Sequence, residues 1–164
     1  MKIATKAYGV IEVDQRQKIV LPRGLLGFED RTEYLLLDAE RQPFYWLQSM
    51  EAEDLAFCLV DPFLFRPDYE VDIGDGELAE LGILSPEKAL ILAIVTIPQE
   101  GDLITANLQG PLVINRANRT GRQAVLSDSR WGTRHDIMAE LAASSASAPA
   151  AISGNTASVG IRSC

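Results

Sequence analysis

The chain has 164 residues, 47% hydrophobic and 23% charged, with a net charge of −8 at neutral pH. That is ordinary usage for one globular domain, and at this length roughly 70% of the unfolded surface can be buried without disulfide or metal staples. The negative field disfavours direct nucleic-acid binding, no apolar run reaches the roughly 18 residues of a membrane span, and two cysteines as distant as Cys58 and Cys164 suggest a reducing cytoplasm rather than a disulfide framework.

In chain order, strand signals recur at short spacing. Ile3–Ala7, Val10–Val13 and Lys18–Leu21 come first, followed by the glycine-punctuated turn Gly24-Leu25-Leu26-Gly27-Phe28-Glu29. Glu33–Leu37, Phe44–Gln48 and Leu55–Val60 follow, rich in the aromatic and branched residues that fit a pleated surface. Asp61-Pro62 ends the last of them, because the residue before proline is pushed away from helical backbone angles. Pro62-Phe63-Leu64-Phe65-Arg66-Pro67 has no room for regular alternation. It reads as a loop carrying bulky groups, with Phe63 and Phe65 either buried in the core or candidates for an exposed contact patch.

Tyr69 to Ile73 alternates apolar with acidic. As a strand it would put Tyr69, Val71 and Ile73 on one face, with Asp68, Glu70 and Asp72 on the other. Gly76–Leu84 is a short helix candidate with Leu78, Leu81 and Ile83 inward, and Lys88–Ile97, closed by Pro98, is a strand buried on both faces. Leu103–Leu108 and Leu112–Asn115 are two extended runs meeting at Gly110-Pro111, with Pro111 expected at a strand start or an edge because it cannot donate to a ladder. Arg122–Leu126 follows across the polar turn Arg116–Gly121, and Asp128–Leu141 is a second helix candidate, capped by Asp128 or Ser129. From Ala142 onward the composition turns to Ala, Ser, Gly, Pro and Thr, so the domain is placed at 1–141 and residues 142–164 are expected to be a disordered tail. Many short strands with one or two short helices make an all-β, small antiparallel barrel-like domain.

Charge is unevenly placed. Residues 40–100 hold 13 Asp and Glu against Arg41, Arg66 and Lys88, whereas residues 116–134 hold five arginines against Asp128 alone. Between Asp68 and Glu80 lie six acids and no base. Asp68, Glu70, Asp72, Asp75 and Glu77 are therefore candidates for docking a basic partner. A calcium loop is not the reading: Ile73 stands where such a loop needs glycine, and Ala79 where it needs a bidentate glutamate. The lone histidine, His135, has no nucleophile elbow to serve, Cys58 sits inside an apolar run, and no glycine cluster carries the Lys-Ser/Thr of a phosphate loop. Catalytic, cofactor and metal sites are expected to be absent. On the residues alone, the alternative to a protein-binding role is a small barrel that binds a ligand in an apolar cavity.

Six blocks in order resemble the FliW family of flagellar assembly factors: Gly24–Glu29; Pro43-Phe44-Tyr45-Trp46-Leu47-Gln48-Ser49; Leu55-Ala56-Phe57 through Asp61-Pro62; Phe65-Arg66-Pro67-Asp68-Tyr69; Asn107–Asn115; and Arg134-His135. Leu26, Trp131 and Asp136 depart from that pattern, standing where the family more often has Pro, Tyr and Pro. The resemblance implies a cytoplasmic, non-enzymatic β-barrel-like protein. It would bind flagellin, and it would bind the RNA-binding translational regulator CsrA and relieve repression of the flagellin messenger.

Overall fold

The structure is a computed structural model that describes residues 1–98 and 103–147. Its framework is an eight-stranded antiparallel sheet built from β3 (Lys18–Val20), β4 (Glu33–Asp38), β5 (Tyr45–Ser49), β6 (Ala56–Val60), β7 (Ala89–Thr96), β8 (Thr105–Asn115), β9 (Gly121–Gln123) and β10 (His135–Asp136). From β3 to β8 each strand pairs with the next, and β9 and β10 both pair with β8. The edges then approach each other. Val20 N–H donates to the Arg119 carbonyl at 2.9 Å, and Val20 bridges Thr120, so the β8–β9 turn nearly closes the sheet into a barrel. A separate hairpin, β1 (Lys2–Thr5) with β2 (Gly9–Glu12), precedes it.

Strict alternation distributes the apolar side chains between two faces. Inside the barrel, Ile19, Leu21, Leu25, Tyr34, Leu47, Leu59, Leu92, Leu112 and Ile114 form one buried cluster. Their neighbours on β6, β7 and β8 (Cys58, Val60, Ile91, Ala93, Val95, Ala106, Leu108 and Val113) face outward but are no less buried. They are covered by Phe63, Phe65, Tyr69, Val71, Leu81 and Ile83 from one side of the chain and by Ala124, Leu126, Trp131 and Ile137 from the other. The N-terminal hairpin covers Leu35 and Leu37 of β4 in the same way. Lys88–Ile97 reads as an unbroken apolar run because both of its faces are interior.

Four expectations need correction. Leu103–Leu108 and Leu112–Asn115 are one strand, β8, with Pro111 inside it rather than at its start. Leu92 pairs with Leu112 and Ile94 with Asn107, so Leu108–Pro111 bulge opposite Ala93. Inside that bulge no ladder bond needs a proline N–H. The freed groups are met by others: Ala124 N–H donates to the Pro111 carbonyl at 2.9 Å, and Asn107 Oδ1 accepts from Gly110 N–H at 2.8 Å.

Tyr69–Ile73 is not a strand. The segment is irregular, although its alternation holds: Tyr69 and Val71 are buried while Asp68, Glu70 and Asp72 are exposed. The second helix, α2 (Ile137–Ser147), starts well after Asp128, because His135–Asp136 pair with β8 and Trp131 is drawn into the core. Asp136, rather than Asp128 or Ser129, receives a backbone N–H of its first turn, from Ala139 at 3.0 Å. That helix also runs past Leu141. Ala142–Ser147 are helical, in keeping with the high helix propensity of alanine, and the remainder of the expected tail lies outside the described residues. The first helix is α1 (Asp75–Leu81), ended by Gly82 in the left-handed region.

The Gly24–Glu29 turn is built on Gly24, whose φ is +65° and where an added Cβ would stand 2.4 Å from the Phe28 carbonyl oxygen and 2.6 Å from Glu29 Cα. Gly24→Ala is expected to destabilise by at least ~2 kcal/mol in denaturant melts, because backbone strain and a clash with main chain add together. Gly27→Ala, at φ +89° with open space around it, should cost only about 1 kcal/mol. Equal costs at the two positions would contradict this account of the turn.

Candidate functional site

The residues singled out by charge are brought to one side of the barrel, but not as a bare acidic face. Two arginines of the C-terminal stretch, Arg122 and Arg130, fold back onto them. Arg130 Nη2 lies 3.3 Å from Glu70 Oε2, and Arg122 lies 3.3 Å from Glu80 and 3.9 Å from Glu77. Arg23 holds Glu80 from another side at 2.8 Å. Arg66 takes Asp68 in a two-pronged bond, Nε to Oδ1 and Nη2 to Oδ2, each 2.8 Å. Its guanidinium holds the Asp68 carboxyl below the usual carboxylate range. Of the five acidic candidates, Asp68, Glu70 and Glu77 are in ion pairs, and Asp72 and Asp75 form none among the described residues. The expectation of an un-neutralised run from Asp68 to Glu80 is therefore corrected: Arg66, just before the run, pairs Asp68, and arginines far away in sequence pair Glu70, Glu77 and Glu80.

Trp131 is the centre of this arrangement. The guanidinium carbons of Arg66 and Arg130 stand 4.8 and 4.9 Å from its ring centroid, and Tyr69 meets it edge-on at 4.9 Å. Such contacts add roughly 0.5–2 kcal/mol each beyond area burial. Tyr69 donates its hydroxyl to the Leu108 carbonyl in the β8 bulge at 2.6 Å, and burial pushes its ionisation far up. His135 belongs to the same cluster. Its Nε2 accepts from Gly132 N–H at 2.8 Å, which leaves the ring proton on Nδ1, directed at Glu140 Oε2 at 2.9 Å. Glu140 in turn accepts from Arg66 Nη1 at 2.9 Å. Both ring nitrogens of His135 are thus engaged in holding the chain.

Phe63 and Phe65 are not a contact patch. Asp61 caps a 3-10 turn, Pro62–Leu64, by accepting from Phe63 N–H at 2.9 Å, and the turn sends Phe63 and Phe65 into the core at 4% and 1% exposure. Leu64 between them is the exposed one, at 42%. Sequence reasoning missed the aromatic–arginine cluster at Trp131. Its only local sign is the pair of arginines, at 130 and 134, around a tryptophan.

Among the described residues no group of three or more His, Cys, Asp and Glu could hold a metal ion, and no helix is long and apolar enough to cross a membrane. The barrel interior is occupied by its own side chains. Two clefts among the described residues lie elsewhere. One of about 460 Å³ is lined by Asp14, Arg16, Leu36, Asp38, Tyr45 and Arg119 among others. The other, of about 400 Å³, is lined by Tyr8, Glu40, Arg41, Phe44, Trp46 and Cys58 among others.

A nearly closed antiparallel barrel, with its outer faces covered by long connections and its charges paired across them, defines a class of small β proteins that present surface rather than an internal pocket. Residues 2–137 match the model of the family described as FliW protein. Similar chains include the flagellar assembly factor FliW of Treponema denticola, 52% identical over 86% of this chain and 96% of the relative, and that of Treponema pallidum, 49% identical over 87% and 95%. A crystal structure of the flagellar assembly factor FliW superposes with a TM-score of 0.76 at 36% identity, covering 84% of this chain and 96% of that one. The chain belongs to the FliW family of flagellar assembly factors.

Burial pushes the Cys58 thiol up to about 11. In a Cys164→Ser background at pH 8, an aromatic disulfide reagent should therefore label Cys58 at least ~10-fold more slowly in the native protein than in denaturant. Equal rates would mean that the thiol is reactive in the fold.

Proposed function

We propose that this chain acts in the cytoplasm, without catalytic turnover, as a two-partner assembly factor that binds flagellin and the RNA-binding translational regulator CsrA. While flagellin is abundant the protein is held by it. As flagellin is exported, the freed protein captures CsrA and lifts its repression of the flagellin messenger, so that synthesis follows export.

The family match over nearly the whole folded chain supports this reading. The charge distribution supports it physically: the chain carries a net charge of −8, and two of its C-terminal arginines, Arg122 and Arg130, are folded onto acids. A protein of that kind repels phosphate. Docked beside a basic RNA-binding surface, it would raise the electrostatic cost of RNA binding without having to occupy the RNA site. The occupied barrel interior weighs against the alternative of a cavity that binds a small ligand.

The test is a translation assay with the flagellin messenger, CsrA and flagellin of the same genome. Adding this protein to the CsrA-repressed reaction should restore synthesis several-fold, and saturating flagellin should cancel the restoration. Unchanged repression at stoichiometric excess of the protein would overturn the CsrA half. Restoration that flagellin cannot reverse would overturn the exchange between partners.

A further inference from the structure

The single histidine of the chain is held in a way that suits only one of its two charge states. A backbone N–H can donate and cannot accept. Gly132 N–H meets His135 Nε2 at 2.8 Å, so Nε2 must offer a lone pair and the ring must be neutral. The ring proton then sits on Nδ1, where Glu140 Oε2 accepts it at 2.9 Å. A second proton, added at Nε2, would set two donors face to face across 2.8 Å. Histidine is the side chain that ordinarily makes this change of charge between about pH 5 and 8.

The charged groups around the ring divide. Glu140, from α2, favours the imidazolium. Arg66, from the loop after β6, shares that carboxylate through Nη1 at 2.9 Å, and Arg130 lies on Trp131, whose ring centroid is 6.2 Å from that of His135. Both oppose a further positive charge. Asp68, Glu70 and Asp128 are turned to those guanidiniums. β8, which pairs with β10, brings only Ala106 and Thr105, and the chain neighbours Arg134 and Asp136 are of opposite sign. The cation is therefore supported at Nδ1 and refused at Nε2.

Gly132 is a fastening point. Its carbonyl accepts from Leu108 N–H at 2.9 Å and from Gln109 N–H at 3.1 Å, both in the β8 bulge, while its own N–H is held by the histidine. Next to it, Trp131 is 1% exposed, and its indole N–H has no acceptor among the described residues. A buried donor of this kind gains a hydrogen bond from water once it is uncovered, so the seat of Trp131 depends on the residues that hold it there.

We infer that His135 is an acid-sensitive latch. On taking a proton from solvent at Nε2 it lets go of Gly132 and keeps Glu140. The Trp131–Gly132 turn then loosens from the β8 bulge, while α2 stays attached to the ring.

The experiment is an NMR titration of the full-length, ¹⁵N-labelled protein from about pH 8 to about pH 5, following the imidazole nitrogens, the Gly132 amide and the Trp131 indole N–H. At the upper end the ring should be the neutral form protonated on Nδ1. As it gains its second proton, the Gly132 amide should shift in step with it. Protection of the Gly132 amide and the Trp131 indole from solvent exchange, corrected for the intrinsic effect of pH, should fall at least ~10-fold. In His135→Gln the amide oxygen can still accept from Gly132 N–H but does not titrate, so protection should hold across the range. In Glu140→Gln the Gly132 bond remains, but the carboxylate that supports the cation is gone, so release should occur at lower pH. A ring that gains its proton while Gly132 and Trp131 stay unchanged would overturn the latch. So would a ring that stays neutral throughout, or a pH response that survives in His135→Gln. The wild-type titration decides even where a variant does not fold.

Discussion

Arg66 touches three parts of the molecule at once. It clasps Asp68 in its own loop, donates to Glu140 on α2, and lies against the Trp131 ring. Without that junction Trp131 would lose one of the two cations packed on its ring, and α2 would keep only His135 with Glu140, Ile137 in the core and the two-residue pairing of β10 with β8. Because the guanidinium is about a quarter exposed, its bonds are screened less than those of a free surface pair. It is a junction of several modest interactions whose effect comes from sharing one group.

The β8 bulge provides the other half of the fastening. At Leu108–Pro111 the strand changes its outer neighbour, from β10 at its start to β9 at its end, and the carbonyls freed there are taken by Tyr69, Ala124 and Leu126. Gly132 returns the favour in the opposite sense, its carbonyl accepting from Leu108 and Gln109. One irregularity thus receives the loop after β6 and the chain after β9 together. The position of Trp131 follows from this, and so does the meeting of the basic stretch with the acidic one.

Much of this was legible in the residues. The strand sequence, the barrel class, the doubly buried β7 and the alternation of Asp68, Glu70 and Asp72 against Tyr69 and Val71 all follow from periodicity, which is local. The ion pairs that join distant segments were not legible, because their partners lie 42 to 74 residues apart and no pattern within a window reports such a distance. Of the two readings open for Phe63 and Phe65, burial is the one realised, because a capped 3-10 turn sets side-chain directions that a loop of unknown shape leaves open. Pro111 was misplaced because its rule concerns regular ladders, and the bulge removes the ladder bond that proline would break. In the same way, helix propensity after Asp128 gave way to the burial of Trp131.

The central claim is that Arg66, from within the acidic stretch, ties its own loop to α2 through Glu140 and so helps to fix the C-terminal segment. The most direct test is a double-mutant cycle between Arg66→Met and Glu140→Gln, read as unfolding free energies in denaturant. The two side chains are 24% and 21% exposed and 2.9 Å apart. The account requires a coupling of about 1 kcal/mol. Additive losses, within roughly 0.3 kcal/mol, would show that the two groups do not act together and that the C-terminal segment is held by packing alone.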